Sequence, residues 1–483
     1  MSERLPVEVV FFGEPFDRKA ILHTLRHLAM RVGWTFRPSA EHRLIYATTD
    51  NPLEIPVRGG DLIVLSSSTV KRFMTESQAS LPLTVASSPP LPFSHPKAND
   101  FHQQGWINAD VIAGAHALFN LFYERRTRPE TKDGWIRFQE DWWTKAGFTK
   151  PEPLADLWLD GIATEAEKIG WPRIRKGERE GANDLPATVL LTHDVDYLPT
   201  FINRGIPRFV RALLRQLLIR KRVRDAQQII GKYRTVFFQS MPYDELRSIS
   251  SAEAELGVTS SFQFAVRRSH RSDPPYDLRK QHRAADALRY LAHRGFEICL
   301  HGSYTAARTQ GQLAEEKGEL EHISGVSISG HRQHYLNFHP ITFFSELEKA
   351  GFNYDMSVGY NDISGPRAGT LFPFRPYDVE KGTPFSLWEI PFIMMDTTLA
   401  TTYKFSSDQS LEHCMDHIRH LEKTRGCVSM IWHQEELSGL LDPGFDTLYW
   451  TLLKRSREHG LRLTSGHRIL PELDALWKRT IGE

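Results

Sequence analysis

Two aspartates follow an apolar stretch of the chain, and they are its strongest chemical signal. Residues 187–192 read ATVLLT, and the next four residues, HDVD, contain Asp194 and Asp196. In parallel α/β folds the active site lies at the carboxyl ends of the strands. Two neighbouring carboxylates repel each other, and their burial costs free energy unless cations or hydrogen bonds compensate it. The pair therefore predicts a metal site with a nearby base, with helix-capping or turn aspartates as the alternative.

Three segments further along the chain supply side chains that bind metals or transfer protons. His301 and His433 each follow an apolar run, and Arg332 and His334 lie two positions apart in the third segment. If that segment is extended, Arg332 and His334 point to the same face. A single histidine at a strand end is usually a structural residue. Four strand ends that each carry Asp, His or Arg instead predict one site built from several strands.

The chain alternates strands and helices from residue 187 to its end. Strands are predicted at 187–192, 296–300, 387–393, 428–432 and 462–464, and helices at 312–322, 341–350, 411–424 and 445–459. This alternation is typical of parallel strands joined by crossover helices, and it is compatible with closure into a barrel.

The order of these motifs resembles the polysaccharide deacetylase family, carbohydrate esterase family 4. HDVD resembles the family's aspartate motif in a variant with one residue between the aspartates, GHR its arginine motif and IWH its last motif. GFNYDMS at 351–357 and EIP at 389–391 resemble segments of a subset that includes allantoinase-like members. The resemblance covers residues 187–483. Residues 1–185 resemble the extra N-terminal region of an uncharacterised bacterial subgroup with HDVD and RQHY motifs.

The resemblance implies a distorted (β/α) barrel that uses a divalent metal to remove acetyl groups from sugars. By the same match, Asp194 would be the general base, and Asp196 and His301 would be metal ligands. Arg332 would orient the base, and His433 would be the general acid. Zn²⁺ is the expected ion, with Co²⁺ and Ni²⁺ as alternatives.

One metal ligand of the family pattern is missing from this chain. The family has a second histidine four residues after the first, and Thr305 stands at that position here. We predict that His334 supplies the third ligand, because it shares a strand face with Arg332. His331 would face away in a regular strand, and His339 lies beyond it. A two-ligand site that binds metal weakly or not at all is the alternative.

Composition excludes several classes of protein. The chain has 483 residues, a net charge of +1, and three cysteines against 21 histidines. The balanced charge gives no global field that would attract nucleic acid. The few cysteines exclude a disulfide scaffold and a Cys-rich zinc site. Because there is neither a secretory signal nor a long apolar run, we expect a soluble, cytoplasmic protein.

The sequence divides into three predicted regions. Residues 1–100 are predicted to form a small α/β N-terminal domain, with strands at 7–12 and 61–65, a helix at 19–32 and a proline-dense loop at 66–99. Residues 101–185 are predicted to form a helical connector. Its tryptophans are expected in the core, rather than in a sugar-binding platform, because they fall at helical spacing beside Leu and Ile. Residues 186–483 are predicted to be the barrel and catalytic domain.

Residues 203–234 depart from the balanced charge of the chain. They contain ten Lys or Arg and one acid, Asp225, with leucines at helical spacing. One interpretation is a basic amphipathic helix that contacts a membrane surface or an acidic polymer, which would make the protein peripheral at the inner membrane. The other, which is favoured, is a solvated helix lying over the core.

Two functions from different classes fit these observations. The first is a metal-dependent hydrolase that removes acetyl groups from an acetylated sugar or polysaccharide precursor, by hydrolysis of a non-peptide C–N bond. Its partner would be the acetylated carbohydrate, with no nucleic acid. The alternative is a degenerate, non-catalytic barrel that binds a glycan or a protein partner in surface-polysaccharide biosynthesis.

Overall fold

The computed structural model describes most of the chain. The described residues are 5–15, 17–48, 55–56, 61–66, 105–107, 111–127, 136–145, 147–172, 185–197, 244–281, 283–438 and 442–481, with individual positions between 210 and 231. The loop predicted at 66–99 lies outside them except for Ser66, as does much of 203–234.

The N-terminal part of the chain builds a five-stranded parallel sheet. Its strands are β1 (Leu5–Phe12), β2 (Trp34–Phe36), β3 (Arg43–Thr48), β4 (Leu62–Ser66) and β5 (Gly105–Ile107), in the order β2-β1-β3-β4-β5. Helix α1 (Arg18–Val32) begins where the Asp17 carboxylate accepts hydrogen bonds from two backbone N–H groups. It ends at Gly33, whose positive φ of 74° closes the last turn. The strands predicted at 7–12 and 61–65 and the helix predicted at 19–32 are confirmed.

Four helices follow this sheet in the described part of the chain. They are α2 (Val111–Phe119), α3 (Phe122–Thr127), α4 (Trp142–Lys145) and α5 (Leu154–Lys168). The side chains of Trp143, Trp158 and Trp171 are buried, which confirms the core interpretation for these three. Asp156 links this part to the barrel, because its carboxylate accepts hydrogen bonds from Arg31, from Thr370 and from the Leu371 backbone.

The larger sheet is parallel and curls round towards itself. Its strands are β6 (Thr188–Val195), β7 (Ser261–Phe264), β8 (Glu297–Gly302), β9 (Gly330–Gln333), β10 (Tyr354–Asp355), β13 (Trp388–Glu389), β14 (Phe392–Met395), β15 (Cys427–Ile431) and β16 (Arg462–Thr464). The order is β13-β10-β9-β8-β7-β6-β15-β14, and β16 also pairs with β6. A small antiparallel pair, β11 (Tyr377–Asp378) and β12 (Thr383–Pro384), lies outside this sheet.

Helices connect these strands. They are α6 (Asp244–Glu255), α7 (Ala284–His293), α8 (Gln312–Ser324), α9 (Phe343–Lys349), α10 (Ser407–Thr424), α11 (Phe445–Glu458) and α12 (Gly466–Arg479). The expected fold class, a distorted (β/α) barrel with a smaller N-terminal α/β unit, is confirmed. Within the described residues, no helix is both long and apolar enough to cross a membrane.

The two edge strands of the large sheet, β13 and β14, follow each other in the sequence. The strand predicted at 387–393 is in fact two strands, β13 and β14, separated by Ile390 and Pro391. Ile390 donates its backbone N–H to Asp355 of β10, while the Pro391 carbonyl accepts from Ser429 of β15. Proline has no N–H to donate to a ladder, so the strand breaks there and passes from one edge of the sheet to the other. This break is where the barrel comes closest to closure.

Several elements were not predicted from the sequence, among them β7 and α12. Strand β7 is only four residues long and contains the polar residues Ser261 and Gln263, so its hydrophobic pattern is weak. Helix α12 begins two residues after β16, whereas the sequence prediction took the strand at 462–464 as the last element of the chain. Strand β6 is buried at every position because it lies inside the sheet, which explains why the carboxylate of Asp194 is also buried.

Candidate active site

Parallel pairing brings the polar strand ends to one edge of the barrel. Asp194 is the second-last residue of β6, and Asp196 follows that strand directly. His301 lies near the end of β8, Arg332 near the end of β9, and His433 shortly after β15. Because β6, β7, β8 and β9 are neighbours and β15 lies on the other side of β6, these ends face one another.

Three of these side chains form a cluster that can hold a metal ion. The potential ligand atoms of Asp196, His301 and His334 all lie within 4.8 Å of one another. Asp196 Oδ1 is 3.3 Å from His301 Nε2, and Asp196 Oδ2 is 3.6 Å from His334 Nε2. Asp196 Oδ1 is buried and accepts no hydrogen bond. The two histidines therefore face the carboxylate without being hydrogen-bonded to that oxygen.

The donor set and its spacing fit a divalent cation. Metal–ligand bonds of about 2.0–2.1 Å in tetrahedral geometry place neighbouring ligand atoms about 3.3 Å apart, close to the observed separations. One carboxylate and two imidazoles are ligands that zinc commonly takes, and a further position would stay open for water or substrate. The structure thus brings His334 together with Asp196 and His301.

The outer nitrogen of each imidazole faces an oxygen acceptor, and the inner nitrogen faces the cluster. His301 Nδ1 donates a hydrogen bond of 3.0 Å to the Arg332 carbonyl, which leaves Nε2 with a free lone pair. His334 Nδ1 faces Asp273 Oδ1 at 3.7 Å. Asp273 is itself held by the backbone N–H groups of Ser269, His270 and Tyr304.

The backbone around His334 has an unusual conformation. His334 follows β9 in a short 3-10 turn, in which Tyr335 and Leu336 have φ values of 55° and 53°. Residues other than glycine rarely adopt this left-handed backbone conformation, which costs about 1 kcal/mol or more per residue. The Asn361 side chain donates a hydrogen bond of 2.8 Å to the Tyr335 carbonyl and supports the turn.

The carboxylates of Asp196 and Asp273 favour a positive charge on the His334 imidazole, which lies between them. Burial raises the pKa of the Asp196 carboxyl, but the charge of His334 and the close approach of both imidazoles outweigh it and hold the pKa well below its usual range. Burial lowers the pKa of His334, but Asp196 and Asp273 outweigh it and raise the pKa to about 9. A cation bound by these groups would take the place of the proton on His334.

Asp194 is fixed by a buried arginine. Arg332 is fully buried, and its Nη1 donates to Thr192 Oγ1 at 2.9 Å and to Asp194 Oδ1 at 3.3 Å. Its Nε donates to the Met356 carbonyl and its Nη2 to Ser429 Oγ. Asp194 Oδ2 lies 3.9 Å from His301 Nε2, so this carboxylate is adjacent to the cluster. Its other oxygen, Oδ1, is held by Arg332.

His433 lies beside the cluster and is paired with a buried carboxylate, Asp396. His433 Nδ1 donates to Asp396 Oδ1 at 2.7 Å, and its backbone N–H donates to Asp396 Oδ2 at 2.6 Å. His433 Nε2 points back towards Asp196 Oδ2, 3.8 Å away. Burial lowers the pKa of His433, but the Asp396 charge and hydrogen bond outweigh it and raise the pKa well above its usual value. The protonated imidazole can donate a proton into the site.

Some residues near the motifs serve the barrel rather than the cluster. His331 Nδ1 donates to Asp355 Oδ1 at 2.6 Å, on the face opposite Arg332, as its position in the strand predicted. His193 Nδ1 donates to the Trp432 carbonyl and so ties β6 to the strand that carries His433. Tyr335 is different, because its side chain is 48% exposed beside the His334 ring.

The sequence analysis missed two carboxylates of the site. Asp396 directly follows β14, so it carries the same strand-end signal as Asp194, but the break at Pro391 obscured that strand. Asp273 lies in a loop without any strand or motif to mark it, and only the folded chain brings it to His334.

Comparison with other proteins gives similarity in fold at low identity. No protein-family model matches the chain, and no curated protein sequence matches it. The chain is similar to a solved structure from Mycobacterium smegmatis assigned as a polysaccharide deacetylase, with 14% identity, 62% of this chain and 95% of that chain covered, and a TM-score of 0.39. It is similar to a CE4 family pseudoenzyme from Bacillus anthracis, with 10% identity, 59% and 66% coverage, and a TM-score of 0.27.

A branching enzyme of glycoside hydrolase family 57 from Thermococcus kodakaraensis is also similar, with 10% identity, 97% and 71% coverage, and a TM-score of 0.28.

Proposed function

We propose that the protein is a metal-dependent hydrolase that removes acetyl groups from an acetylated sugar. The observation that carries this proposal is the convergence of three kinds of group at one barrel edge. A potential cation site (Asp196, His301, His334) lies between an oriented carboxylate, Asp194, and a histidine paired with a carboxylate, His433. Hydrolysis of an amide needs a base for water and an acid for the leaving nitrogen, on opposite sides of an electrophilic centre.

The residues would share the reaction as follows. A divalent cation bound by Asp196, His301 and His334 supplies Lewis acidity, which polarises an acetyl carbonyl and lowers the pKa of water. Asp194 accepts the proton of the attacking water. Arg332 donates a hydrogen bond to Asp194 and points its carboxylate into the site. His433 donates its proton to the departing nitrogen of the sugar, and Asp396 stabilises the charged imidazole.

The substrate class comes from the motif resemblance rather than from the cluster itself. The order HDVD, GHR and IWH resembles enzymes that deacetylate sugars. We infer an N-acetylated sugar, as a free precursor or an intermediate of a cell-surface polysaccharide. Tyr335 offers an exposed aromatic face beside His334 on which a sugar ring can pack.

Acetate release tests the proposal directly. The purified protein is loaded with Zn²⁺, Co²⁺ or Ni²⁺ and incubated with a panel of N-acetylated amino sugars, oligosaccharides and nucleotide sugars. We expect acetate from at least one member, and loss of at least about 100-fold in kcat for Asp194→Asn. Asp416→Asn, on the exposed face of α10, serves as the matched control and should retain activity.

The outcome also separates the two function classes. Protein that binds metal stoichiometrically but releases no acetate from any member of the panel would contradict deacetylation. If it nevertheless binds one of these glycans, the non-catalytic binding barrel becomes the better account. Release of ammonia or ureide products from cyclic ureides, without acetate release, would favour hydrolysis of a small non-sugar amide.

A further inference from the structure

A buried polar network lies against the end of β6, and the proposed reaction does not use it. His193 Nε2 lies 2.9 Å from Glu253 Oε1. The Glu253 carboxylate also accepts hydrogen bonds from Ser260 Oγ, at 2.6 Å, and from the Tyr449 hydroxyl. All four residues are fully buried. Well-packed apolar side chains can often replace such a network without loss of stability, so packing alone does not account for it.

The preceding side chains on the same face of β6 are aliphatic. Val189 and Leu191 lie at alternate positions before His193, and both belong to a hydrophobic core cluster. A leucine at position 193 would continue this pattern. The histidine instead stands at the strand end nearest the candidate active site, where its ring reaches a backbone carbonyl that a leucine could not bind.

That carbonyl belongs to the peptide unit that joins Trp432 to His433. Strand β15 ends one residue earlier, so this peptide unit lies beyond the regular strand. His193 Nδ1 donates a hydrogen bond of 2.8 Å to the Trp432 carbonyl. On the other side of the same peptide unit, the His433 backbone N–H donates to Asp396 Oδ2 at 2.6 Å. Because a peptide unit is planar and rigid, these two hydrogen bonds fix its orientation.

The orientation of this peptide unit sets the direction in which the His433 side chain leaves the backbone. His433 Nδ1 donates to Asp396 Oδ1 at 2.7 Å, while Nε2 faces Asp196 Oδ2 at 3.8 Å. The ring must satisfy both relationships to deliver a proton into the site. A misplacement of about 1 Å in a reacting group can cost on the order of 100-fold in rate.

We propose that His193 is a positioning residue for proton transfer by His433. His193 acts through the Trp432 carbonyl rather than on the reacting atoms. Glu253 holds the other nitrogen of the His193 ring, and the two hydroxyl groups hold Glu253. This role rests on the proposed function, because it gives His193 a share in the proton transfer that His433 performs.

Two variants of similar size test the hydrogen bond to the Trp432 carbonyl. In His193→Asn the side-chain amide nitrogen can take the place of Nδ1 and still donate, whereas His193→Leu has no donor. Both variants remove the ring that faces Glu253, so their difference isolates the donor. We expect His193→Leu to lower kcat for acetate release from the N-acetylated sugar at least about tenfold, with unchanged KM and metal content. His193→Asn should recover most of this loss.

A change of leaving group separates positioning from a general loss of structure. Hydrolysis of p-nitrophenyl acetate releases an anion that needs no proton from an acid, so its rate should not depend on where His433 lies. We expect His193→Leu to hydrolyse this ester within about twofold of the wild-type rate. Equal losses on both substrates, or equal losses in His193→Leu and His193→Asn, would overturn the proposal.

Glu297→Gln is the matched control for disturbance of a buried carboxylate. Glu297 is buried and accepts a hydrogen bond of 2.7 Å from Ser261 Oγ, as Glu253 does from Ser260. It lies at the start of β8, and therefore at the opposite end of the barrel from the candidate active site. This variant should leave the rates on both substrates unchanged.

Hydrogen exchange gives a readout that does not depend on catalysis. The amide hydrogen of His433 should exchange at least about tenfold faster in His193→Leu than in the wild type or in His193→Asn, because its peptide unit is released on the carbonyl side. Mass spectrometry of a peptide that covers residues 427–436 measures the exchange. If no acetylated sugar is hydrolysed, the proposed function fails, and this measurement still decides whether His193 holds the peptide unit. Equal exchange in all three proteins would overturn the positioning role.

Discussion

Asp273 Oδ1 lies 3.7 Å from His334 Nδ1, on the side of the imidazole that faces away from Asp196. Asp273 is 4% exposed and is held by three backbone N–H groups, so its position is fixed before any ion binds. A carboxylate behind a metal-binding histidine orients the ring and strengthens it as a ligand.

The first prediction concerns this carboxylate. Asp273→Asn keeps the shape of the side chain but removes the charge behind His334, so zinc affinity should fall about 10- to 100-fold. A competition titration with a chromophoric chelator measures the affinity. Asp277→Asn changes a neighbouring aspartate that pairs with Arg279 instead, and it should leave the affinity unchanged. Equal affinities for Asp273→Asn and wild type would refute the role of Asp273.

Asp396 gives a second prediction, on catalysis rather than on metal binding. Because Asp396 stabilises the charged form of His433, Asp396→Asn should lower kcat for acetate release about 100-fold while leaving KM and metal content nearly unchanged. Steady-state kinetics with parallel metal analysis distinguish the two effects. A rise in KM with unchanged kcat would show that Asp396 acts on substrate binding instead.

Arg332 gives a third prediction, on stability. Arg332→Met leaves Asp194 buried without its counter-charge and removes the donor to the Met356 carbonyl. The free energy of unfolding should fall by about 3 kcal/mol, measured by urea titration. Arg279→Met breaks an ion pair with Asp277 at the surface and should cost less than about 1 kcal/mol. Comparable losses for the two variants would mean that Arg332 is not a central structural residue of the site.

The fourth prediction concerns a buried histidine where the N-terminal unit meets the barrel. Burial lowers the pKa of His116 to about 3, with smaller contributions from His23 and Arg125. Between pH 6.5 and about 3, the unfolded chain binds a proton there that the folded chain does not bind. The free energy of unfolding therefore falls as the pH falls, by up to about 1.4 kcal/mol per pH unit, and this contribution vanishes above pH 6.5.

The variant His116→Gln removes this dependence. Between pH 7.5 and 5.0 the wild type should lose about 2 kcal/mol more of its unfolding free energy than the variant does. Urea titrations at both pH values measure the difference. Parallel pH profiles for the two proteins would show that His116 is not held neutral in the fold.

Much of the barrel could be predicted from the sequence because its strands are short, apolar and followed by polar side chains. The fold class and the strand-end positions of Asp194 and His301 follow from that pattern. The pattern does not show that the chain crosses from one edge of the sheet to the other at Ile390 and Pro391. One predicted strand is therefore two strands in the structure, one at each edge of the sheet. Asp396 was missed for that reason.

The position of His334 depends on features that sequence patterns do not carry. Its turn uses left-handed backbone at Tyr335 and Leu336, which no glycine marks. Its partner Asp273 lies in a loop that only the folded chain brings to the site. His334 was predicted as a ligand on the assumption that it shares a strand face with Arg332. In the structure β9 ends before His334, and the turn that follows brings His334 Nε2 near Asp196.

The central claim is that Asp196, His301 and His334 together hold one divalent cation. The most direct measurement is a zinc titration by calorimetry of the metal-stripped wild type and of His334→Ala. The account predicts one zinc per wild-type chain and an affinity at least about 100-fold weaker in His334→Ala. Stoichiometric zinc bound by His334→Ala with wild-type affinity would contradict it.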